Sequence, residues 1–519
     1  MLPWKSIIQI QNEGDCPVYL QIANAICGEI KKGHLGPGVK LPGTRQLSEL
    51  LEVHRKTIVR AFEELDAQGW IEMRPSQGSF TSRDLPEINP RKLAAEPKRP
   101  KAFAAATGYS VPVNTLIKSP VSPLRHISGF HDGPDSRMAP IDDIAKAYRS
   151  VLMKNVNLKY TSYVETAGTT MFRKVLSNYM NDSRGLRTTD ENIMITRGST
   201  MGLFLIISVL FSKGDAVIVG NTNYYYADRA FENAGMQLIR VPVDDCGIDV
   251  DAIEKICRKK PPKAVHITSH HHFPTTVTLS AARRIRLLAL AEQFGFVIIE
   301  DDYDYDFHYC SSPILPLVSA DTKGMVIYIG TLSKTLAPGI RTGYVIAPVN
   351  LILELARLRQ IVDTQGDPIM ELALVQLFED GTIRRHLKKS LQEYRMRRDF
   401  VCGRLLEMLP GVIDFKVPDG GLAIWAKFHP SVPLPPLAEQ LKAKGIILSN
   451  GLIHNPTPVS LNATRMGFGW MNQPEAEKAL DILVSTIAGS FKPKSPAPVT
   501  PSSAKLKSPA PARATRSHG

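Results

Sequence analysis

The spacing of hydrophobic positions changes character along the chain. Between Val18 and Gly33 apolar residues recur at Val18, Ile22, Ile26 and Ile30, which lines one face of a helix. Gly33 ends it, and the stretch GHLGPGVKLPG follows as a Gly/Pro-punctuated turn. Thr44 to Leu51 predicts a short second helix, with Gly43 or Thr44 as its cap. His54 to Gln68 predicts a third, with Ile58, Ala61, Phe62 and Leu65 facing inward. After Gly69, the runs WIEMR and SFTS flank Pro75-Ser76-Gln77-Gly78, the pattern of a β-hairpin.

Ser82 to Arg125 has no sustained periodicity and reads as a basic, Pro-punctuated tether. Beyond it the pattern is α/β. Ile141 to Lys154, Thr169 to Met180 and Ala281 to Gly295 look helical. Short apolar runs at Asn192–Thr196, Ala216–Gly220, Ala264–Thr268 and Phe296–Tyr303 predict strands. So do the two apolar segments of GMVIYIGTLSKTLAPGIRTGYVIAP, Gly324 to Pro348. From Leu351 to about Leu409 the chain is largely helical, and a smaller subdomain follows with GLAIWAKF, GIILSN and a strand at Arg465-Met466-Gly467-Phe468. Lys492 to Gly519, rich in Pro, Ala, Ser and Lys, predicts a disordered tail.

With 519 residues, 43% of them hydrophobic, the chain exceeds one ordinary domain. Its longest apolar run, Met201 to Phe211, is far short of a membrane span, and Met1 to Ile10 lacks the pattern of a signal peptide. Six scattered cysteines without a CxxC pair predict reduced thiols and a cytoplasmic protein. The formal charge of +13 is unevenly placed: residues 1–81 carry nine basic and nine acidic side chains, 82–126 carry eight and three, and 491–519 carry six and none. Net charge therefore does not argue for nucleic-acid binding by residues 1–81; a motif must.

Lys334 follows the turn Thr331-Leu332-Ser333 just beyond an apolar strand, and Arg341 lies seven residues on. That setting suits a lysine that must leave water to condense with an aldehyde cofactor. Upstream, FVIIEDDY ends an apolar run in carboxylates. A buried carboxylate is costly unless it meets a cation, and the pyridinium nitrogen of pyridoxal 5'-phosphate (PLP) is one such cation. Three consecutive histidines, His270, His271 and His272, lie on an extended segment and so point to alternating faces; no metal site is expected.

The motifs EDDYD (Glu300–Asp304) and GTLSKTLAPGIRTGY (Gly330–Tyr344) resemble the MocR family, which joins a GntR-type winged helix-turn-helix to a fold-type I PLP-dependent aminotransferase-like body. The resemblance covers nearly the whole chain and implies a DNA-binding domain over 1–81, a linker over 82–125, a PLP-binding body over 126–490 with its small subdomain within about 385–490, and a tail over 491–519. It implies that Lys334 is the catalytic lysine and that Asp301 pairs with the pyridine nitrogen. It further implies that Tyr303 bonds the phenolic oxygen and Tyr224 stacks on the ring. Gly198, Ser199, Thr200 and Arg341 fall at the phosphate, Ser333 among the cofactor-binding residues, His271 at the family's histidine and Tyr163 at the tyrosine lent by a partner subunit. Arg465 matches the arginine that grips a ligand carboxylate.

In the first domain Arg45, His54, Arg55, Lys56 and Arg60 cluster at the starts of the second and third helices, while Glu63, Glu64 and Asp66 lie at the far end. A recognition helix leads into the major groove with its N-terminal end. Thr57 and the wing glycine Gly78 complete the expected DNA surface. His54 stands where the family has a capping serine, which predicts a weaker cap.

Two functions fit. One is a homodimeric transcriptional regulator that binds a double-stranded DNA operator and senses PLP or an amino compound, controlling vitamin B6 or amino-acid metabolism genes. The other is a working aminotransferase with an appended DNA-binding module. The winged helix favours the regulator. In relatives that answer to an amino acid, an arginine follows two residues after the stacking tyrosine; here that position is Tyr226, which favours PLP itself as effector.

Overall fold

The apolar stripe of Val18–Lys31 closes a small core with the helices Thr44–Leu51 and Arg55–Ala67. Ile22, Ile26, Leu47, Ile58, Ala61, Phe62 and Leu65 meet there, nearly all solvent excluded. The hairpin pairs Ile71–Arg74 with Gly78–Thr81, with Ile71 opposite Thr81 and Arg74 opposite Gly78. A short helix, Trp4–Ile7, not foreseen from periodicity, adds Trp4 and Ile8 to this core. This computed structural model describes residues 3–10, 16–85, 106–112, 116, 128–309, 314–455 and 460–490. The chain divides into two compact units, 1–113 and 114–519. The expected tail (491–519) and most of the expected tether (82–125) lie outside the described residues.

The second unit is built on a seven-stranded sheet. Its strands run in spatial order Ile193–Thr196, Gly343–Ile346, Val326–Thr331, Val297–Asp302, Ala264–Ile267, Ala216–Gly220 and Gln237–Val241. Gly343–Ile346 is antiparallel to both neighbours, and the other described pairings of this sheet are parallel. Near-continuous apolar runs are what a sheet covered on both faces requires. Ile193, Ile195, Tyr328 and Tyr344 pack on one face, with the helices Ile141–Met153, Thr170–Arg184 and Pro368–Glu379 contributing to the same core. Met194, Ile327, Ile329 and Val345 face the other way, toward Ser199–Leu210 and Val349–Val362.

The helical stretch expected from Leu351 onward is three helices, Val349–Val362, Pro368–Glu379 and Thr382–Met408. Pro368 begins the second, and Gly381, at φ +74°, separates it from the third. A second, antiparallel sheet orders Ile413–Asp414, Ala423–Phe428 and Ala463–Gly467. GIILSN contributes only the two-residue strand Ile446–Ile447, which pairs with Ser128–Gly129. Phe130, Phe307 and Tyr309 join this smaller core, so it draws on residues far upstream of 385. Among the described residues no helix is long and apolar enough to cross a membrane.

Candidate functional site

The ends of the parallel strands carry the candidate chemistry, as open α/β sheets dispose it. Val297–Asp302 and Val326–Thr331 lie side by side with Asp301 opposite Ile329 and Asp302 opposite Gly330. The turn after Thr331 presents Ser333 and Lys334.

Five carboxylates crowd the segment Glu300–Asp306, and their partners separate them. Glu300 accepts from the Ser269 hydroxyl and from the amides of Leu317 (2.8 Å) and Val318 (3.0 Å). Asp302 is held by His270 (3.0 Å) and the Tyr328 hydroxyl (2.8 Å), and these neighbours bring its carboxyl down to about 2 although burial works the other way. Asp304 pairs with His271 at 2.8 Å. Asp306 takes Tyr179, Thr335 and Arg184. Asp301 differs: Asp302 and Asp304 are as buried and each leaves one oxygen unpaired but has the other engaged, whereas among the described residues no hydrogen bond or ion pair holds Asp301, whose Oδ1 is unpaired as well. Burial, with Asp302 and Asp304 close by, lifts its carboxyl to about 7. A buried carboxyl in that state is an acceptor awaiting a cation or an N–H.

Around Asp301 the structure gathers Tyr224, whose hydroxyl is pushed up by burial and by Asp301, with Tyr226 and Asp132 also near. Phe273 meets Tyr224 edge-on, ring centroids 5.1 Å apart, and lies 6.1 Å from the Tyr303 ring. Tyr303 donates to the carbonyl of His271 at 3.0 Å, and burial keeps its phenol protonated. Lys334 Nζ donates to the backbone carbonyl of Asp132 at 2.8 Å.

Gly198 caps the N-terminus of Ser199–Leu210 with φ +85°, a conformation that favours glycine. A Cβ on Gly343 would come within 2.7 Å of Gly198 Cα and 2.9 Å of the Ser199 amide nitrogen, so the two loops touch backbone to backbone. Arg341 stands at φ +52° and donates to the Arg197 carbonyl at 2.9 Å. The Ser333 hydroxyl, buried, has no partner. Free amides at a helix start, an adjacent guanidinium and an unpaired hydroxyl form a cradle for a phosphate.

Two expected residues stand apart. The His271 imidazole is turned away: one ring nitrogen bonds Asp304, and Gly420 packs so close that any Cβ there would strike the ring. Phe273, two residues on, is the aromatic that joins Tyr224 and Tyr303. Tyr163 is 85% exposed, with Met153, Val156 and Leu158 exposed nearby in sequence. The three histidines take three separate partners, Asp302, Asp304 and the Thr275 hydroxyl.

Arg465 is engaged within the protein. Its Nε and one terminal nitrogen donate to Asp132 Oδ2 (2.8 Å) and Oδ1 (3.0 Å), and the other terminal nitrogen reaches the Pro274 carbonyl at 3.3 Å. The residue expected to grip a ligand carboxylate is thus held by an internal carboxylate, 333 residues away in sequence. Asp132 is absent from the sequence expectations because no local pattern links it to Arg465.

In the first unit Arg45, His54, Arg55 and Lys56 are exposed and Thr57 is half-buried. The His54 ring accepts from the Lys56 amide at 3.2 Å, so the histidine caps the helix as a serine would. Arg55 reaches the Thr44 hydroxyl at 3.4 Å, tying the starts of the two helices together. Arg60 instead lies over the Tyr19 ring, 4.2 Å from its centroid. Gly78 is exposed at φ +107° in the wing, where Lys40 and Arg74 flank the Phe80 ring at 5.6 and 4.9 Å. Lys40, from the Gly/Pro-punctuated turn before the second helix, pairs with Phe80, and Arg74 ends the first strand of the hairpin; neither is among the expected DNA-contacting residues.

The family model for aminotransferase class I and II matches residues 128–483, and the model for bacterial regulatory proteins of the gntR family matches 18–81. The chain is 26% identical over 465 residues to the uncharacterized HTH-type transcriptional regulator YdfD of Bacillus subtilis (strain 168), covering 89% of this chain and 95% of that protein. It is 23% identical over 456 residues to the probable rhizopine catabolism regulatory protein MocR of Rhizobium meliloti, covering 87% and 90%. Among solved structures, the Pyrococcus horikoshii kynurenine aminotransferase in complex with PMP is similar at TM-score 0.66 and 26% identity, over 71% of this chain and 93% of that one.

Proposed function

The chain belongs to the aminotransferase class I and II family and carries a GntR-type DNA-binding domain ahead of that body, and from this we propose a homodimeric transcriptional regulator that binds an operator through residues 1–81 and responds to PLP held in the body. The observation that carries the reading is Asp301: of five neighbouring carboxylates it is the one left without an internal partner, in a protein whose other unit is a winged helix.

The residues present fit PLP. Asp301 would meet the ring nitrogen and keep it protonated. Tyr224 and Tyr303 would flank the ring. Gly198, Ser199, Thr200, Ser333 and Arg341 would hold the phosphate, and Lys334 would be the point of attachment. When bound, PLP supplies an aldehyde that condenses with amines and a ring that withdraws electrons. The exposed Tyr163 and the apolar residues before it support a partner subunit that completes the site. The GntR-type DNA-binding domain supports a cytoplasmic location.

The aminotransferase reading is weaker, because Arg465 is already paired and Tyr226 adds no second positive charge. PLP as effector, acting on vitamin B6 or amino-acid metabolism genes, remains the favoured response. The test is to sequence genomic fragments retained by the purified full chain with and without PLP. A discrete set whose retention changes with PLP supports the regulator; no sequence preference in either state refutes it.

A further inference from the structure

Arg465 and Asp132 form the most completely satisfied ion pair of the candidate cleft. All three guanidinium nitrogens of Arg465 have acceptors, two of them on the Asp132 carboxylate. Arg465 is 3% exposed and the Asp132 side chain 22%. Burial alone would raise the Asp132 carboxyl, but Arg465 first and Lys334 second bring it down to about 2, so it stays charged throughout the neutral range.

Asp132 is also fixed from behind. Phe130 donates to the Ile447 carbonyl (2.9 Å), and Gly467 donates to the Phe130 carbonyl (3.1 Å). Gly467 has no Cβ, and one placed there would run into the His131 carbonyl. The segment carrying Asp132 therefore lies flat against the strand carrying Arg465. A carboxylate so positioned competes with any free carboxylate at a high effective concentration.

We propose that Asp132 occupies the carboxylate seat at Arg465, so that the cleft takes an amine lacking an α-carboxylate and excludes free amino acids. Among the described residues, the cations near Asp132 are Arg465 itself and Lys334, the point of attachment for PLP, and neither is left over to offset that exclusion. His454 is held neutral near neutral pH, its imidazole lowered to about 4 by burial and by Arg465. Tyr226 offers no charge. An incoming carboxylate would face Asp132 across a buried guanidinium whose Nε and one terminal nitrogen already hold the Asp132 carboxylate, and like charges at that range repel. An ammonium group meets the opposite situation. The carbonyl and carboxylate of Asp132 are acceptors, and the Phe273, Tyr224 and His454 rings give an apolar body a wall. This ligand class rests on the PLP-binding reading above.

Matched pairs that differ by one carboxylate test it: 2-phenylethylamine against phenylalanine, and 1,4-diaminobutane against ornithine. Binding to the PLP-loaded full chain is followed by calorimetry. The wild-type protein is expected to bind at least one amine about tenfold or more tightly than its amino-acid partner, the scale of one missing charged hydrogen bond. In Asp132→Asn the amino acid gains about tenfold while the amine does not. A cofactor-free arm uses 3-phenylpropanoate, a carboxylate with no amine: Asp132→Asn binds it and wild type does not. Circular dichroism of both proteins confirms that the variant is folded, and Asp132→Ala repeats the test if it is not. Preference of the wild type for the amino acids, binding of neither member, or a ratio unmoved by both variants overturns the proposal. Failure of the wild type to take up PLP overturns the reading beneath it instead, and the 3-phenylpropanoate arm still decides whether Asp132 closes the seat.

Discussion

Replacing Asp301 by asparagine removes the group on which the cofactor assignment depends. In the cofactor-free protein its carboxyl is lifted from an ordinary 3.8 to about 7, chiefly by burial and then by Asp302 and Asp304. At about 1.4 kcal/mol for each tenfold change in proton affinity, ionised Asp301 costs the folded body on the order of 4 kcal/mol at pH 7. The sign follows from linkage. Between about pH 4 and 7 the folded state holds the Asp301 proton more tightly than the unfolded chain, so this residue's contribution to stability is greatest below pH 4 and is lost as pH rises to 7. Asp302 titrates in a separate window, its contribution being lost as pH falls from about 4 to 2. Urea unfolding of wild type and Asp301→Asn, both cofactor-free, should give similar midpoints at pH 4. At pH 8 the variant should be more stable by roughly 2–4 kcal/mol, the upper end being the full ionisation cost. Saturating PLP should reverse the order at pH 8, because only the carboxylate gains a cation. Parallel pH profiles for the two proteins, or a variant that is less stable at pH 8 without cofactor, would refute the argument that Asp301 is an unpaired buried carboxyl.

Three further outcomes are expected. Borohydride reduction of the PLP-loaded protein should leave the label on the Lys334 peptide, as read by mass spectrometry, and Lys334→Ala should leave none. Gly343→Ala places a methyl group against the Gly198 and Ser199 backbone and should destabilise the body by about 1–3 kcal/mol while weakening PLP binding, both measurable by titrated unfolding. Arg55→Ala with Lys56→Ala should weaken operator binding and flatten its salt dependence by roughly one in log–log slope for each phosphate that is no longer neutralised, in a fluorescence-anisotropy series over salt.

Much of this was legible in the sequence because strands covered on both faces are written as unbroken apolar runs. FVIIEDD, VIYIGT and GYVI read as strands for that reason, and the turn between the last two presents Lys334. The first domain was legible because Ile22, Ile26, Ile58 and Phe62 keep helical spacing. What local pattern could not supply was pairing at a distance. Glu300, Asp301, Asp302, Asp304 and Asp306 look alike in local chemistry; the motif resemblance points to Asp301, and only the partners of the others show that it is the one left unpaired. His271 and Phe273, two residues apart, would share a face of an extended segment, but the chain bends beyond the strand Ala264–Ile267 and turns the phenyl ring toward Tyr224 and the imidazole toward Asp304. Residues 128–130 join the smaller core through a two-residue pairing with Ile446–Ile447, too short to leave a periodic trace. Asp132 follows directly from that pairing, which explains why its hold on Arg465 was invisible. His54 shows the same lesson at short range, since its ring supplies the cap that the residue type did not advertise.

The central claim is that PLP in the body changes DNA binding by the winged helix. Its most direct test titrates PLP into cofactor-free full chain bound to a retained operator fragment, reading DNA affinity and cofactor absorbance together, with Lys334→Ala alongside. The account predicts that wild-type affinity shifts over the same PLP range in which the absorbance band of the bound cofactor grows, and that Lys334→Ala shows neither change. PLP that loads onto Lys334 while operator affinity stays constant would contradict it.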